Sequence, residues 1–259
     1  MIRLAFYDLD GTLCSSNVVV RYAFFARHHP SKARALLKCG KLLLSVPVMI
    51  GLDFYSRALF NEIFYREYRG MKKEWLQELE GTLFERVIRP SIYAGAKEIV
   101  DADRAQGFRP VLVTGELDCA LPAVVRYFGF DAVISNSLVY ENGAATGKVV
   151  PPLIAEAEKV AAIERLGREW GVDLSQSKAY SDSFSDAPML ESVGNPVAVN
   201  PDRRLKRVAV KRGWPILELK RSAARGDGRS AVAALYERGR TRPSLPGPAA
   251  TGDHDGRPR

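Results

Sequence analysis

The stretch "IRLAFYDLDGTL", residues 2–13, decides how the chain is read. A short apolar run of strand length ends in two carboxylates, Asp8 and Asp10, two positions apart, and a Gly11-Thr12 pair follows. Like charges this close repel, so a group that neutralises them is expected between them. In an open α/β sheet, ligands collect outside the carboxyl ends of the strands, which is where this pair would stand.

Outward from that stretch, "PVLVTG" (110–115), "DAVISNS" (131–137), "SKAYSDS" (177–183) and "NPVAVNP" (195–201) read as further strands. Between them, "AGAKEIVDADRAQG" (94–107), "LDCALPAVVRYFG" (117–129) and "IAEAEKVAAIERLGREWG" (154–171) carry helical spacing, and each closes on a glycine. This alternation predicts an α/β fold, a Rossmann-like doubly wound parallel sheet with helices on both faces. "LVYENGAATGKVV" (138–150) sets Asn142-Gly143 between two short β-like runs, and reads as a hairpin decorating that sheet.

Residues 18–90 separate the first strand from the first core helix, a connection far longer than usual. Helical spacing over 18–44, 53–70 and 72–88 predicts an inserted helical cap above the strand ends. The expected organisation is a core of residues 1–17 and 91–220, a cap of 18–90, and a basic tail of 221–259. That tail is rich in Arg, Gly, Pro and Ser and is expected to be flexible.

The formal charge of +8 is unevenly spread. Residues 18–90 carry 13 Lys/Arg against 7 Asp/Glu, residues 203–259 carry 15 against 5, and the remainder carries 10 against 18. An acidic body under a basic insert suggests a cation site in the body and an anionic substrate entering beneath the insert. No basic stripe is interleaved with aromatics, so no specific nucleic acid is expected, although the basic C-terminal region keeps that class open as an alternative.

Cys14, Cys39 and Cys119 are odd in number and lack CxxC spacing, which indicates neither a disulfide framework nor a zinc site. The sequence enters its first strand without a signal peptide, so the expectation is a cytoplasmic protein. "LLLSVPVMIGL" (42–52) is too short to span a bilayer and is broken by Pro47. Because it follows the basic "KARALLKCGK", it admits a peripheral membrane contact, against the plainer reading of a cap helix burying one face. Nothing in the sequence speaks to oligomeric state.

Three strand ends carry suggestive groups: Asp8 and Asp10, then Thr114 and Gly115, then Asp182 and Asp186 in "SDSFSD", with Lys159 early in the helix that precedes that last strand. Carboxylates gathered at one edge repel, and a hard divalent cation such as Mg²⁺ relieves this using oxygen ligands alone. A carboxylate beside it can attack phosphorus and form an aspartyl-phosphate. A neighbouring acid can protonate the leaving oxygen and later take a proton from water. Lys148 and Lys178 are rivals to Lys159, and Asp186 can also be read as a helix N-cap for "APMLESV".

"DLDGT", "LVTG", a lysine at the head of a helix and "YSDSFSDAPML", in this order, resemble the haloacid dehalogenase (HAD) superfamily of phosphohydrolases. The nearest branch is subfamily IB, which contains phosphoserine phosphatase and relatives with a helical cap after the first motif. The resemblance covers about residues 5–217. It implies Asp8 as nucleophile, Asp10 as general acid/base and as metal ligand through its backbone carbonyl, Thr114 as phosphate hydrogen-bonder and Lys159 as clamp on phosphate and nucleophile. It further implies Asp182 as Mg²⁺ ligand and Asp186 as its support, with an HAD phosphatase acting on a phosphorylated small molecule. Asp10 speaks against the carbon–halogen enzymes of the superfamily, which lack that second acid.

The chain departs from the phosphoserine phosphatase pattern at three places. Asn17 stands where a cap-entrance glutamate would hold the serine ammonium, Ser185 replaces an asparagine before the last acid, and "DGT" replaces "DST". Losing a charge that pairs the substrate amine argues for a substrate other than phosphoserine. Asn17 and Arg57 are nevertheless the expected substrate contacts from the cap, Arg57 for a carboxylate or second phosphate. A phospholipid head group such as phosphatidylglycerophosphate is the alternative substrate. A phospho-acceptor signalling module, which also sets acids, a Thr/Ser and a Lys around Mg²⁺, is the alternative of another class.

Overall fold

The computed structural model describes residues 2–221, so most of the expected tail lies outside the described residues. The first strand, β1 (Arg3–Tyr7), is central because its residues alternate between two apolar layers. Leu4 and Phe6 face one core, with Val111, Ile163, Met189 and Leu205, while Ala5 and Tyr7 face the other, with Val100, Leu112 and Phe128.

β2 (Phe108–Leu117), β3 (Ala132–Asn136), β4 (Leu138–Glu141), β5 (Ala144–Val149), β6 (Lys178–Ser181), β7 (Asn195–Val199) and β8 (Ile216–Leu217) follow. Six of the eight form one sheet in the order β3-β2-β1-β6-β7-β8, every neighbouring pair parallel. The order runs outward in both directions from β1, as expected of a doubly wound sheet. The two-residue edge strand β8 has no counterpart in the sequence pattern, since nothing so short carries a period.

Residues between β1 and the first core helix form α1 (Val18–Arg27), α2 (Lys32–Tyr55), α3 (Arg57–Tyr65) and α4 (Lys73–Leu83), closed by a π-helical turn over Phe84–Ile88. Their buried aromatics, Tyr22, Phe25, Phe64, Tyr65 and Tyr68, belong to the same core cluster as Tyr7 and Leu9. The core helices are α5 (Ala96–Ala105), α6 (Pro122–Phe128), α7 (Ala157–Glu169), the short α8 (Ala187–Glu191) and α9 (Arg203–Arg212).

Two expectations are corrected here. Pro47 does not break the apolar stretch, because α2 runs through it. The ring removes one N–H and crowds the carbonyl four residues back, and Leu43 and Pro47 both lie on the exposed side, where water can satisfy that carbonyl. The hairpin β4-β5 is not part of the main sheet but a separate two-stranded one. It is anchored to the helical insertion instead: Gly70 N donates to Ala145 O (2.8 Å) and Ala145 N donates to Met71 O (2.8 Å). Among the described residues no helix is long and apolar enough to cross a membrane.

Candidate active site

Parallel register brings the separate motifs to one sheet edge. Tyr7 pairs with Leu112 of β2 and with Tyr180 of β6, so Asp8, Thr114 and Asp182 all lie within a residue or two beyond a common row. The Asp8 N–H donates to Tyr180 O (3.0 Å), fixing the point where β1 stops and the loop begins. Gly11 is in the left-handed region at φ 83°, and a Cβ there would stand 2.0 Å from Asp182 Oδ2. The "DGT" turn therefore requires glycine for two reasons, its backbone conformation and the approach of a carboxylate.

The resulting cavity is lined by Asp8, Asp10, Thr114, Gly115, Lys159, Asp182 and Asp186 from the sheet domain, and by Arg57 from the insertion. Eight of the predicted site residues thus share one cavity. The Lys159 ammonium, buried, donates to Asp8 Oδ1 and to Asp186 Oδ2, both at 2.7 Å. Lys148, by contrast, is exposed on β5, and Lys178 pairs with Asp103, so neither rival reaches the site. Asp186 makes no capping hydrogen bond to α8; its Oδ2 accepts from Lys159 and from Ser181 Oγ (2.7 Å), which corrects the helix-cap reading.

Asn17 is the exception among the predicted contacts. It is exposed and N-caps α1, its Oδ1 accepting from Val19 N and Val20 N at 3.1 Å, and Val18 lines the cavity in its place. An N-cap needs a short polar side chain, which suffices to explain an asparagine here.

The site is electrically strained in the direction a cation would relieve. Burial pushes the Asp8 carboxyl up from 3.8 to about 6 against the pull of Lys159, and the Asp186 and Asp10 carboxylates add to the rise. Burial, then Asp8 and Asp186, hold the Asp182 carboxyl well above its ordinary value. Burial works against the Lys159 charge too, but Asp186 and Asp8 outweigh it and keep the ammonium protonated. Thr12 Oγ1 stands 3.3 Å from both Asp8 Oδ2 and Asp182 Oδ1, so one hydroxyl proton serves two carboxylates.

Among the described residues, no three acidic, His or Cys side chains are already drawn together as a metal cluster. The donor chemistry nonetheless fits a hard cation: a buried Asp8 and a half-buried Asp182, both held above their ordinary pKa, offer carboxylate oxygens, and no His or Cys lines the cavity.

Four functional candidates escaped sequence reading. Arg21, fully buried on α1, places Nη1 2.6 Å from Glu116 Oε2 and 2.6 Å from Asp10 Oδ1. The first contact is a hydrogen bond. The second is a contact of charge only, for Asp10 Oδ1 is buried and accepts no aligned donor among the described residues. Burial raises the Glu116 carboxyl, with Arg21 opposing and Asp10 adding to the rise. Asn61, buried on α3 one turn after Arg57, and Glu156, before α7, also line the cavity. A basic residue inside "VVVRYAFF" was the one available signal for Arg21; its partner Glu116 is 95 positions away.

The family model for haloacid dehalogenase-like hydrolases matches residues 5–191. The "Inhibition of morphological differentiation protein" of Streptomyces azureus is 32% identical over 84% of this chain and 78% of its own length. Phosphoserine phosphatase SerB1 of Mycobacterium tuberculosis is 30% identical over 92% of this chain and 81% of its own. A phospho-aspartyl intermediate analogue of phosphoserine phosphatase superposes with TM-score 0.64 over 85% of this chain and 94% of that one, at 19% identity, a likeness of fold.

Proposed function

Since the chain belongs to the haloacid dehalogenase-like hydrolase family, and is a phosphatase within it, we propose that it hydrolyses a phosphorylated small molecule through a phosphorylated Asp8, with Mg²⁺ as cofactor. The observation that carries this reading is Lys159 between Asp8 and Asp186, in a cavity also lined by Asp182 and Thr114. Two separate segments supply these carboxylates, and a lysine from a third spans them.

A carboxyl near 6 is ionised at neutral pH, so Asp8 can act as nucleophile there. Its oxygen forms a bond to phosphorus as the ester P–O bond breaks, and Asp10 protonates the departing alcohol oxygen. Water then attacks phosphorus, Asp10 taking its proton, and inorganic phosphate leaves with Asp8 restored. Thr114, Gly115 and Lys159 hold the phosphoryl oxygens through the transfer. Asp8, Asp182 and the Asp10 carbonyl would hold the cation, with Asp186 behind them, and its chemistry there is neutralising charge on the phosphoryl group. Arg21 holds Asp10 in place through Oδ1. The helical insertion acts as the cap, presenting Arg57 and Asn61 to the leaving-group side.

The pattern at Asn17 supports a substrate other than phosphoserine. A lipid phosphomonoester is a second reading, favoured by the exposed apolar face of α2, which ends two residues before Arg57. Inorganic phosphate release from an aryl phosphate tests the core claim: Asp8→Asn should lower turnover on the order of 10⁴-fold or more, and chelation should abolish it reversibly. Wild-type rates in Asp8→Asn would sink the nucleophile assignment.

A further inference from the structure

The face of α2 that looks away from the protein is apolar where a surface helix is ordinarily polar. Leu36, Leu37, Leu43, Leu44, Val48 and Tyr55 are 63–84% exposed, whereas Leu42 and Met49, on the opposite face, are buried. At 100° per residue the six exposed side chains fall within one sector, and Gly40, Pro47 and Gly51 fall between them without adding polarity. Lys32 and Arg34, both exposed, flank that sector, as does Lys41, whose ammonium is paired with Glu67 Oε1 at 2.6 Å. Residues 18–52 contain six Lys/Arg and no Asp or Glu. An apolar strip rimmed by basic residues on a helix that does not span is the pattern of a segment lying in a membrane interface.

We propose that the outward face of α2 docks on an anionic lipid surface, its leucines entering the headgroup region and its flanking Lys and Arg meeting lipid phosphates. Charge selects this occupant over a second copy of the chain, because an isologous contact would press two acid-free basic segments together. The helix is 24 residues long, about 36 Å at 1.5 Å per residue, and ends at Tyr55, with only Ser56 before the cavity-lining Arg57. Docking would therefore set the mouth of the site at the bilayer. The docking itself stands apart from the phosphatase reading; the consequence for substrate access rests on it.

Flotation of the full chain with vesicles tests the proposal. The wild type should float with phosphatidylglycerol–phosphatidylcholine vesicles, much less with phosphatidylcholine alone, and less as salt is raised. Leu37→Glu with Leu44→Glu should weaken binding about tenfold or more, and Lys32→Glu with Arg34→Glu should do so too. Both variants should keep wild-type melting and aryl-phosphate turnover, since the altered side chains are solvent-exposed. Failure of the wild type to float, or flotation of either variant at the wild-type level, overturns the proposal. So does a concentration-dependent dimer that Leu37→Glu/Leu44→Glu dissolves. A chain that floats but releases no phosphate sinks the phosphatase reading and leaves the docking standing.

Discussion

At the scale of the residue, burial and charge make opposite demands on the site. An acid whose pKa is raised by folding binds its proton more tightly in the native chain than in the unfolded one. For Asp8 the rise is from 3.8 to about 6, so the metal-free chain loses stability as pH climbs through that window and carries the whole penalty above it. A divalent cation on these carboxylates competes with the proton and offsets the penalty. Mg²⁺ should therefore raise the melting temperature clearly at about pH 7.5 and much less at about pH 5. Equal shifts at both pH values would count against carboxylate ligation, whatever the activity shows. Arg21 offers a second case. Arg21→Met strands Glu116 in the core and should destabilise by about 3–5 kcal/mol. Arg21→Met with Glu116→Leu should recover most of that in urea denaturation. Turnover should stay low in the double variant, since Asp10 still lacks its neighbour; full recovery of kcat would reduce Arg21 to a structural role.

At the scale of the element, the insertion is tied to the sheet domain at the place where substrate would enter. Glu156 has φ 50° and ψ −121°, a region non-glycine residues avoid, and its carboxylate explains why the conformation is held. Oε1 accepts from Arg57 N (2.8 Å), Ser56 Oγ (3.2 Å) and Ala58 N (3.4 Å), capping α3 from across the cavity. An anion at a helix N-terminus is stabilising, and here it also locates Arg57 and Asn61. Glu156→Ala should lower stability by about 0.5–2 kcal/mol and raise KM more than it lowers kcat, read by denaturation and steady-state kinetics. A kcat loss with unchanged KM would show that α3 is not what Glu156 positions. Elements of this kind are only half legible in a sequence. Five of the six parallel strands are readable because each is a short run rich in apolar residues and bounded by turns; the two-residue β8 is not. The attachment of β4-β5 to the insertion is not, because a hairpin's local signal says nothing of which surface its edge will meet.

At the scale of the molecule, the chain's own order of residues determined five strands of the main sheet, the long helical insertion, and, from the motifs, seven of the eight predicted residues that line the cavity, since strand period, glycine punctuation and acids at strand ends are local properties. The eighth, Arg57, was named as a cap contact, and geometry brought it there. Tertiary structure alone decided the rest. It chose Lys159 over Lys148 and Lys178, left Asn17 capping a helix, joined Arg21 to Glu116 and Asp10, and turned a leucine strip of α2 outward. The physical reason is that burial and pairing depend on which distant segments converge, and one-dimensional spacing holds no record of distances between residues 95 or 151 positions apart.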